Sequence, residues 1–219
     1  MTPRNSLRLA AFLPCSRANG PGLRSVVWVQ GCALRCPGCF NPDFLPLAGG
    51  TPHDPAEIAG MILSATATEG VTFSGGEPFL QAAALAEIAR LVRETDRSVI
   101  IFTGFEWDEL EHSADPDHQA LLVQADTLIA GPYRCEEASS HPLLASGNQR
   151  MIHLSGRYKD EDFLTLGAKP AARRVEFRIA PDGTVAMTGF PSQAIQLAMK
   201  SKVSRQARKG RQDSINQIF

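Results

Sequence analysis

The chain has 219 residues, of which 43% are hydrophobic and 21% charged, with a net charge of -1. That composition supports one sizeable core and excludes a globally disordered chain, and the near balance of charge gives no reason to expect nucleic acid or a membrane as partner. No apolar run is long enough to span a bilayer, and an odd cysteine count with clustering argues against an extracellular disulfide framework and for a reducing, cytoplasmic setting.

Taken in chain order, "LRLAAFLPCS" carries an apolar stretch from Leu9 to Leu13, short for a signal-peptide core, and reads as an edge strand. "SVVWV" (Ser25 to Val29) is a β-branched and aromatic run that reads as a buried strand. It leads into "GCALRCPGCFNP", which holds Cys32, Cys36 and Cys39. A helix start follows, with Asp54 as N-cap, Pro55 at the first position and Glu57 three residues after the cap. Ile58, Met61, Ile62 and Ala65 fall on one face of that helix. "GVTFS" (Gly70 to Ser74) reads as a second strand, ended by Gly75 and Gly76, and a helix from about Phe79 carries Leu80, Leu85, Ile88, Leu91 and Val92. "SVIIFT" (Ser98 to Thr103) is a third strand stopped by Gly104, shorter helical pieces follow, and "DTLIAG" (Asp126 to Gly131) is a fourth. Strand then helix, repeated, predicts parallel strands joined by right-handed crossovers.

On that scaffold the unusual residues converge. The cysteines follow the first of these strands, "SGGEP" the second, "TGF" the third and "GPYR" the fourth. Such loops share one face of a parallel sheet or barrel, where active sites are built. Three thiolates suit either zinc or an iron–sulfur cluster. Zinc wants four protein ligands, usually as two pairs, and no second pair is present, although His53 leaves a Cys3His site open. A cubane cluster held at three corners leaves one iron free for a small molecule, and Cys15 and Cys135 are fourth-ligand candidates only if folding brings them near. Gly75-Gly76 also reads as an ordinary strand-ending turn, and Glu77 as an acid favoured in a helix's first turn.

Cys32-x3-Cys36-x2-Cys39, followed by "FN" and then by "SGGEPFLQ" about one βα unit later, resembles the radical S-adenosylmethionine (SAM) superfamily. With "NGPGLRSVVWVQGC", "TGFEWDEL", "DTLIAGPYR" and "SGNQRMIHLS" in order, the chain is most similar to activating enzymes of glycyl radical enzymes, especially the small anaerobic ribonucleotide reductase activating proteins. The resemblance runs from about Leu7 to Gly156. It implies a partial (β/α) barrel holding a [4Fe–4S] cluster on Cys32, Cys36 and Cys39. It also implies SAM contacts at Gly75, Gly76 and Glu77 for the methionine end, at the backbone of Gly38 and Phe40 for adenine, and at Thr103 and Gly104, with Arg150 near the SAM carboxylate. The implied chemistry is reductive cleavage of SAM to methionine and a 5'-deoxyadenosyl radical that removes a hydrogen atom from glycine in a protein substrate. A flavodoxin or ferredoxin would be the reductant. Two departures from the family pattern stand out: Gly38 occupies a position that is often aromatic, and Ala130 one that often carries an acid.

The expected organisation is a radical SAM core over 1–156, an extension with a β-hairpin over 157–190 and a basic helix or tail over 191–219. In the hairpin Val175, Phe177 and Ile179 alternate, Pro181-Asp182-Gly183 turns, and Val185 and Met187 alternate again. From Phe190 onward the charge is +5, against -6 for the rest. Two other functions stay open at this point: a radical SAM enzyme that modifies a small molecule or peptide, and a non-catalytic Fe–S or zinc-binding module.

Overall fold

The structure, a computed structural model, describes residues 5–137, 139–166, 169–170, 174–179, 185–191 and 195. Strands β1 (Leu7–Ser16), β2 (Arg24–Val29), β3 (Thr51–His53), β4 (Gly70–Gly75), β5 (Ser98–Phe102), β6 (Thr127–Ala130) and β7 (Arg150–His153) form one sheet in the order β3-β1-β2-β4-β5-β6-β7. The four central strands β2, β4, β5 and β6 are parallel, paired Val27 to Phe73, Phe73 to Ile101 and Ile101 to Leu128. This is the α/β architecture with a parallel sheet that the alternating periodicities predict.

Helices α1 (Pro55–Ser64), α2 (Ala82–Arg93), α3 (Trp107–Glu111) and α4 (Pro116–Gln124) fill the crossovers. Asp54 caps α1 as expected, its side chain accepting from the Ala56 amide at 2.8 Å. The second helix starts later than the sequence suggests. Pro78–Gln81 forms a 3-10 turn first, because Glu77 caps that turn through the Phe79 amide. After β7 come a short helix α5 (Asp160–Leu164), the two-residue strands β8 (Thr165–Leu166) and β9 (Lys169–Pro170), and an antiparallel pair, β10 (Val175–Ile179) with β11 (Val185–Gly189). The Pro181-Asp182-Gly183 turn and, apart from Pro191 and Ile195, the basic C-terminal segment lie outside the described residues.

Two expectations change. β1 is not an edge strand, because β3 pairs with it over Leu7 to Leu9. Three residues containing a proline give no readable strand pattern, so β3 is invisible until the chain folds back. β7 is also new, antiparallel to β6 with Ile129 opposite Met151.

Alternation along the central strands divides the interior into two faces. Val27, Phe73, Ile101 and Leu128 point to a core shared with Ile58, Ile62, Leu85, Ile88 and Val92 of the helices. Each such fully buried side chain contributes about 1.5–3 kcal/mol. Ile100 and Ile129 point the other way, to a smaller cluster with Leu143 and Phe163. Helices α1 to α4 therefore cover one face, and much of the opposite face stays available for a cavity.

The deep end of that face is closed by Arg24, which is fully buried. Its guanidinium donates to Thr72 Oγ1 at 2.9 Å, Ser98 Oγ at 2.9 Å, the Val71 carbonyl at 2.7 Å and Tyr158 Oη at 3.1 Å. Burial pushes its pKa down, partly opposed by Tyr158 and by the charges of Asp126 and Glu69. A buried cation is tolerated when its donors are occupied, and here they tie three parallel strands together.

Candidate functional site

β2 ends in the cysteine loop, which the chain folds back onto itself. The Gly31 amide donates to the Phe44 carbonyl at 2.8 Å and the Cys32 amide to the Leu45 carbonyl at 3.0 Å. A tight turn then places the Cys39 amide 3.1 Å from the Cys36 carbonyl. Arg35 and Gly38 adopt left-handed φ values of 50° and 74°, which lets this short segment reverse. Burial pushes the Cys32 thiol pKa up, opposed by the Leu34 and Arg35 amides that donate to it. Those amides are placed to stabilise a thiolate once a metal takes the proton's place.

The loop after β4 rests directly on this segment. The Gly76 amide donates to the Val29 carbonyl at 2.7 Å and the Glu77 amide to the Gly31 carbonyl at 2.8 Å. A Cβ on Gly75, whose φ is +109°, would lie 2.5 Å from the Val29 nitrogen, and one on Gly76 would lie 2.2 Å from the Gly31 oxygen. The double glycine is therefore required by the chain's own backbone. That requirement holds before any ligand is bound.

Glu77 is 1% exposed, and three donors hold its carboxylate: Thr103 Oγ1 at 2.7 Å, the Gly104 amide at 2.8 Å and the Phe79 amide at 3.0 Å. Burial raises its pKa to about 7 against the pull of those donors. Thr103 and Gly104, the residues singled out after the third predicted parallel strand, are thus locked to the residue singled out after the second. Gly104 also packs on the cysteine loop, since a Cβ there would lie 2.4 Å from Leu34 Cδ1.

A cavity of about 290 Å³ opens between these loops. Its lining includes Cys32, Cys36, Cys39, Phe40, Gly75, Gly76, Glu77, Thr103 and Gly104. Ala11, Leu13, Trp28, Ser74 and Phe102 supply the strand wall, on the face away from the helices. Gly38 lies just behind the lining, with Tyr133 and Cys135 within 4 Å of where its Cβ would be. Arg150 is elsewhere: at the start of β7 it is exposed and pairs with Asp108 at 3.3 Å. Its neighbour Gln149 lines the cavity instead, anchored to the Gly131 carbonyl at 3.0 Å.

Several lining residues were not singled out in the sequence. Tyr133 packs against Phe40 with ring centroids 4.9 Å apart and planes tilted by 53°, and Phe190 lies 6.0 Å from Phe40 and 5.7 Å from Phe102. Tyr133 had a signal, as part of the loop after the fourth parallel strand. Trp28 had one in the alternation of "SVVWV". The residues of β10 and β11 had none, because nothing local says which surface a hairpin covers.

The donor set fits a cluster with one corner open. The three cysteines share one cavity, whereas neither Cys15 nor Cys135 is in its lining. Cys135 is exposed, with its thiol toward Glu136 at 3.4 Å. His53 lies on β3 and pairs with Glu57 at 3.1 Å. Among the described residues no three His, Cys, Asp or Glu side chains converge on a site for a single ion.

The model of a 4Fe-4S single cluster domain matches residues 18–152. The anaerobic ribonucleoside-triphosphate reductase-activating protein of Vibrio cholerae is 30% identical over 151 residues, covering 65% of this chain and 94% of that protein. The protein of the same name from Enterobacteria phage T4 is 30% identical over 146 residues, 63% of this chain and 88% of its own length. The pyruvate formate-lyase-activating enzyme of Clostridium pasteurianum is 43% identical over 81 residues, 35% of this chain and 34% of that enzyme. With a three-cysteine loop and a Gly-Gly-Glu segment lining one cavity, the chain belongs to the 4Fe-4S single cluster domain family, among the radical SAM activating proteins whose cofactors are a [4Fe–4S] cluster and SAM.

Proposed function

We propose that the protein is the activating enzyme of a glycyl radical enzyme, removing a hydrogen atom from a glycine of a protein substrate such as an anaerobic ribonucleotide reductase. The observation that carries this reading is the single cavity shared by Cys32, Cys36 and Cys39 and by Gly75, Gly76, Glu77, Thr103 and Gly104. When bound and reduced, the cluster supplies the electron that splits SAM into methionine and the hydrogen-abstracting 5'-deoxyadenosyl radical.

The chain's own residues bind, orient and exclude. Cys32, Cys36 and Cys39 hold the cluster. Gly75, Gly76 and Glu77 form the rim for the methionine end of SAM. Glu77 meets its amino group with a carboxylate already fixed by Thr103 and Gly104, so little ordering remains when the ligand arrives. A cationic group beside Glu77 favours its ionised form, so the proton that burial holds on it near neutral pH leaves when such a group binds. Phe40 and Tyr133 offer an aromatic wall for adenine, with Gly38 behind them. Trp28, Leu13, Phe102 and Phe190 keep the remainder apolar, which protects a reactive radical from water and stray donors. Arg150 would reach the SAM carboxylate only by leaving Asp108.

The finer architecture belongs to the same reading: a partial barrel core over 1–156, a hairpin extension over 157–190 and a basic segment over 191–219. A flavodoxin or ferredoxin in the cytoplasm is the proposed reductant. No helix among the described residues is long and apolar enough to cross a membrane.

A second reading, modification of a small molecule or peptide, is favoured by one observation: β10 and β11, beyond the family match, contribute to the cavity wall. Reconstitution with iron and sulfide, then SAM and a strong reductant, tests both enzyme readings. Both require 5'-deoxyadenosine, and its absence would sink them. A glycyl radical signal in the partner enzyme selects the first; turnover of 5'-deoxyadenosine without one in any candidate partner selects the second.

A further inference from the structure

The β10–β11 pair lies beyond the family match, which ends at residue 152, and forms a two-stranded sheet separate from the main one. A two-stranded hairpin is marginally stable by itself, so its attachments decide where it sits. At one end they go to the end of β1 and the turn that follows. Glu176 accepts from Ser16 Oγ at 2.6 Å and from the Arg17 amide at 2.8 Å, and Asn19 Nδ2 donates to Thr188 Oγ1 at 2.9 Å. Arg174 and Arg178 add only long bonds, each 3.4 Å, to the Arg17 and Cys15 carbonyls. At the other end Phe190, just after β11, packs against Phe102 and against Phe40 of the cysteine loop. The hairpin therefore spans the cavity from the β1–β2 turn to the cysteine loop, with Glu176, Ala186, Thr188 and Phe190 in the lining.

Its amphipathicity is inverted. Phe177 and Ile179 are 50% and 75% exposed, with Val185 exposed beside them, while Glu176 and Thr188 on the opposite face of the pair turn inward. A fixed layer of a core buries its apolar side. Among the described residues Phe190 is the one side chain of this segment that packs on either hydrophobic cluster. A few polar bonds and one aromatic anchor, with little apolar burial, mark a unit that opens more readily than the sheet beneath it. Volume points the same way. Pockets for a single small molecule run from roughly 300 to 1,000 Å³. The 290 Å³ enclosed here does not take SAM together with a substrate group while the hairpin stays in place.

We infer that the β10–β11 hairpin is a strap over the cavity: latched to Ser16, Arg17 and Asn19 it encloses SAM, and released from them it swings clear so that SAM and substrate pass. This goes beyond the activase reading and applies equally to a small-molecule or peptide substrate.

The test uses the anaerobically reconstituted, SAM-bound enzyme and a latch variant carrying Glu176→Ala and Thr188→Val together. Hydrogen exchange read by mass spectrometry is expected to be at least about tenfold faster in β10 and β11 than in β4 and β5, and faster again by about tenfold in the latch variant, because a lost hydrogen bond to a charged group is worth about tenfold or more. Stopped-flow binding and a chase of labelled SAM should show both association and release of SAM quickened by about tenfold in the latch variant, with affinity changed less than either rate. Phe190→Ala, which removes the other anchor and keeps the latch, should also quicken exchange in β10 and β11. Exchange in the hairpin as slow as in β4 and β5, or SAM rates unchanged in the latch variant, overturns the inference. So does faster exchange that spreads equally into β4 and β5, which would make the hairpin a fixed part of the core. Release quickened with association unchanged overturns it too, since that would assign the latch residues a direct contact with SAM. None of these readouts needs turnover, so absence of 5'-deoxyadenosine would sink the enzyme readings and leave the strap standing.

Discussion

Thr103 Oγ1 donates to Glu77 Oε1 at 2.7 Å, joining the loop after β4 to the loop after β5 in a position where both residues are buried. The Gly104 amide completes the link at 2.8 Å, and the Glu77 amide returns to the cysteine loop through the Gly31 carbonyl at 2.8 Å. Three loops from three parallel strands are therefore one hydrogen-bonded unit before any ligand is considered. Rigidity of that kind is what lets a site hold a reactive group in one orientation.

Glu77 gives the fold a pH dependence in the cofactor-free protein. Its pKa of about 7 lies above the 4.5 of an unperturbed glutamate, so between those values the folded state binds more protons than the unfolded state. Stability from this group is fully present below pH 4.5 and declines as pH rises through 7. The difference is on the order of 3 kcal/mol over that range. Urea unfolding at several pH values should show the fall, and Glu77→Gln should flatten it. An equal slope in both proteins would mean that burial does not control this carboxyl.

Glycine at position 76 is predicted to be irreplaceable for packing reasons alone. Gly76→Ala drives a Cβ into the Gly31 oxygen, backbone that cannot rotate away, and should cost about 2 kcal/mol or more. Gly60 in α1 is the matched control, with nothing within 4 Å of its Cβ position. Gly60→Ala should stabilise by about 0.4–1 kcal/mol through helix propensity and unfolded-state entropy. Thermal melts of both variants decide the point.

Replacing Cys32, Cys36 or Cys39 singly by alanine should prevent a reconstituted cluster from being retained, as read by iron and sulfide content and visible absorption. Cys15→Ala and Cys135→Ala should retain the wild-type content, since neither side chain lines the cavity. Loss of the cluster in Cys135→Ala would instead bring that thiol into the ligand set, from its position beside Gly38.

Arg24→Met should destabilise by about 2–4 kcal/mol, because it removes the buried hydrogen bonds of the guanidinium to Thr72 Oγ1, Ser98 Oγ and the Val71 carbonyl, although the two hydroxyls keep their bonds to the Asn19 and Glu69 carbonyls. Chemical denaturation measures this directly. A change below about 0.5 kcal/mol would show that water replaces the guanidinium at no cost.

Much of the site was legible because its signals are local. Cys32, Cys36 and Cys39 announce a metal loop by spacing, and Gly75-Gly76-Glu77 and Thr103-Gly104 sit where apolar strand runs stop. Four parallel strands followed from β-branched runs alternating with helical periodicity, within a residue or two of their ends. Arg150 illustrates the limit. The segment "NQR" pointed to the site, but Gln149, in the loop just before β7, is held at the cavity by the Gly131 carbonyl and the Ala145 amide, whereas Arg150, the first residue of the strand, meets Asp108.

The amino-acid sequence by itself determined the order of the four parallel strands and the helices between them, the three thiols and the loops that must gather at one end of the sheet. These depend on periodicity, turn residues and short spacings, which act over a few neighbouring positions. Tertiary structure alone decided that β3 covers β1, that the double glycine is demanded by the backbone of Val29 and Gly31, and that β10 and β11 wall the cavity with Arg178 facing in. Each of those is a contact between segments distant along the chain, fixed by packing and hydrogen bonding that no local pattern encodes.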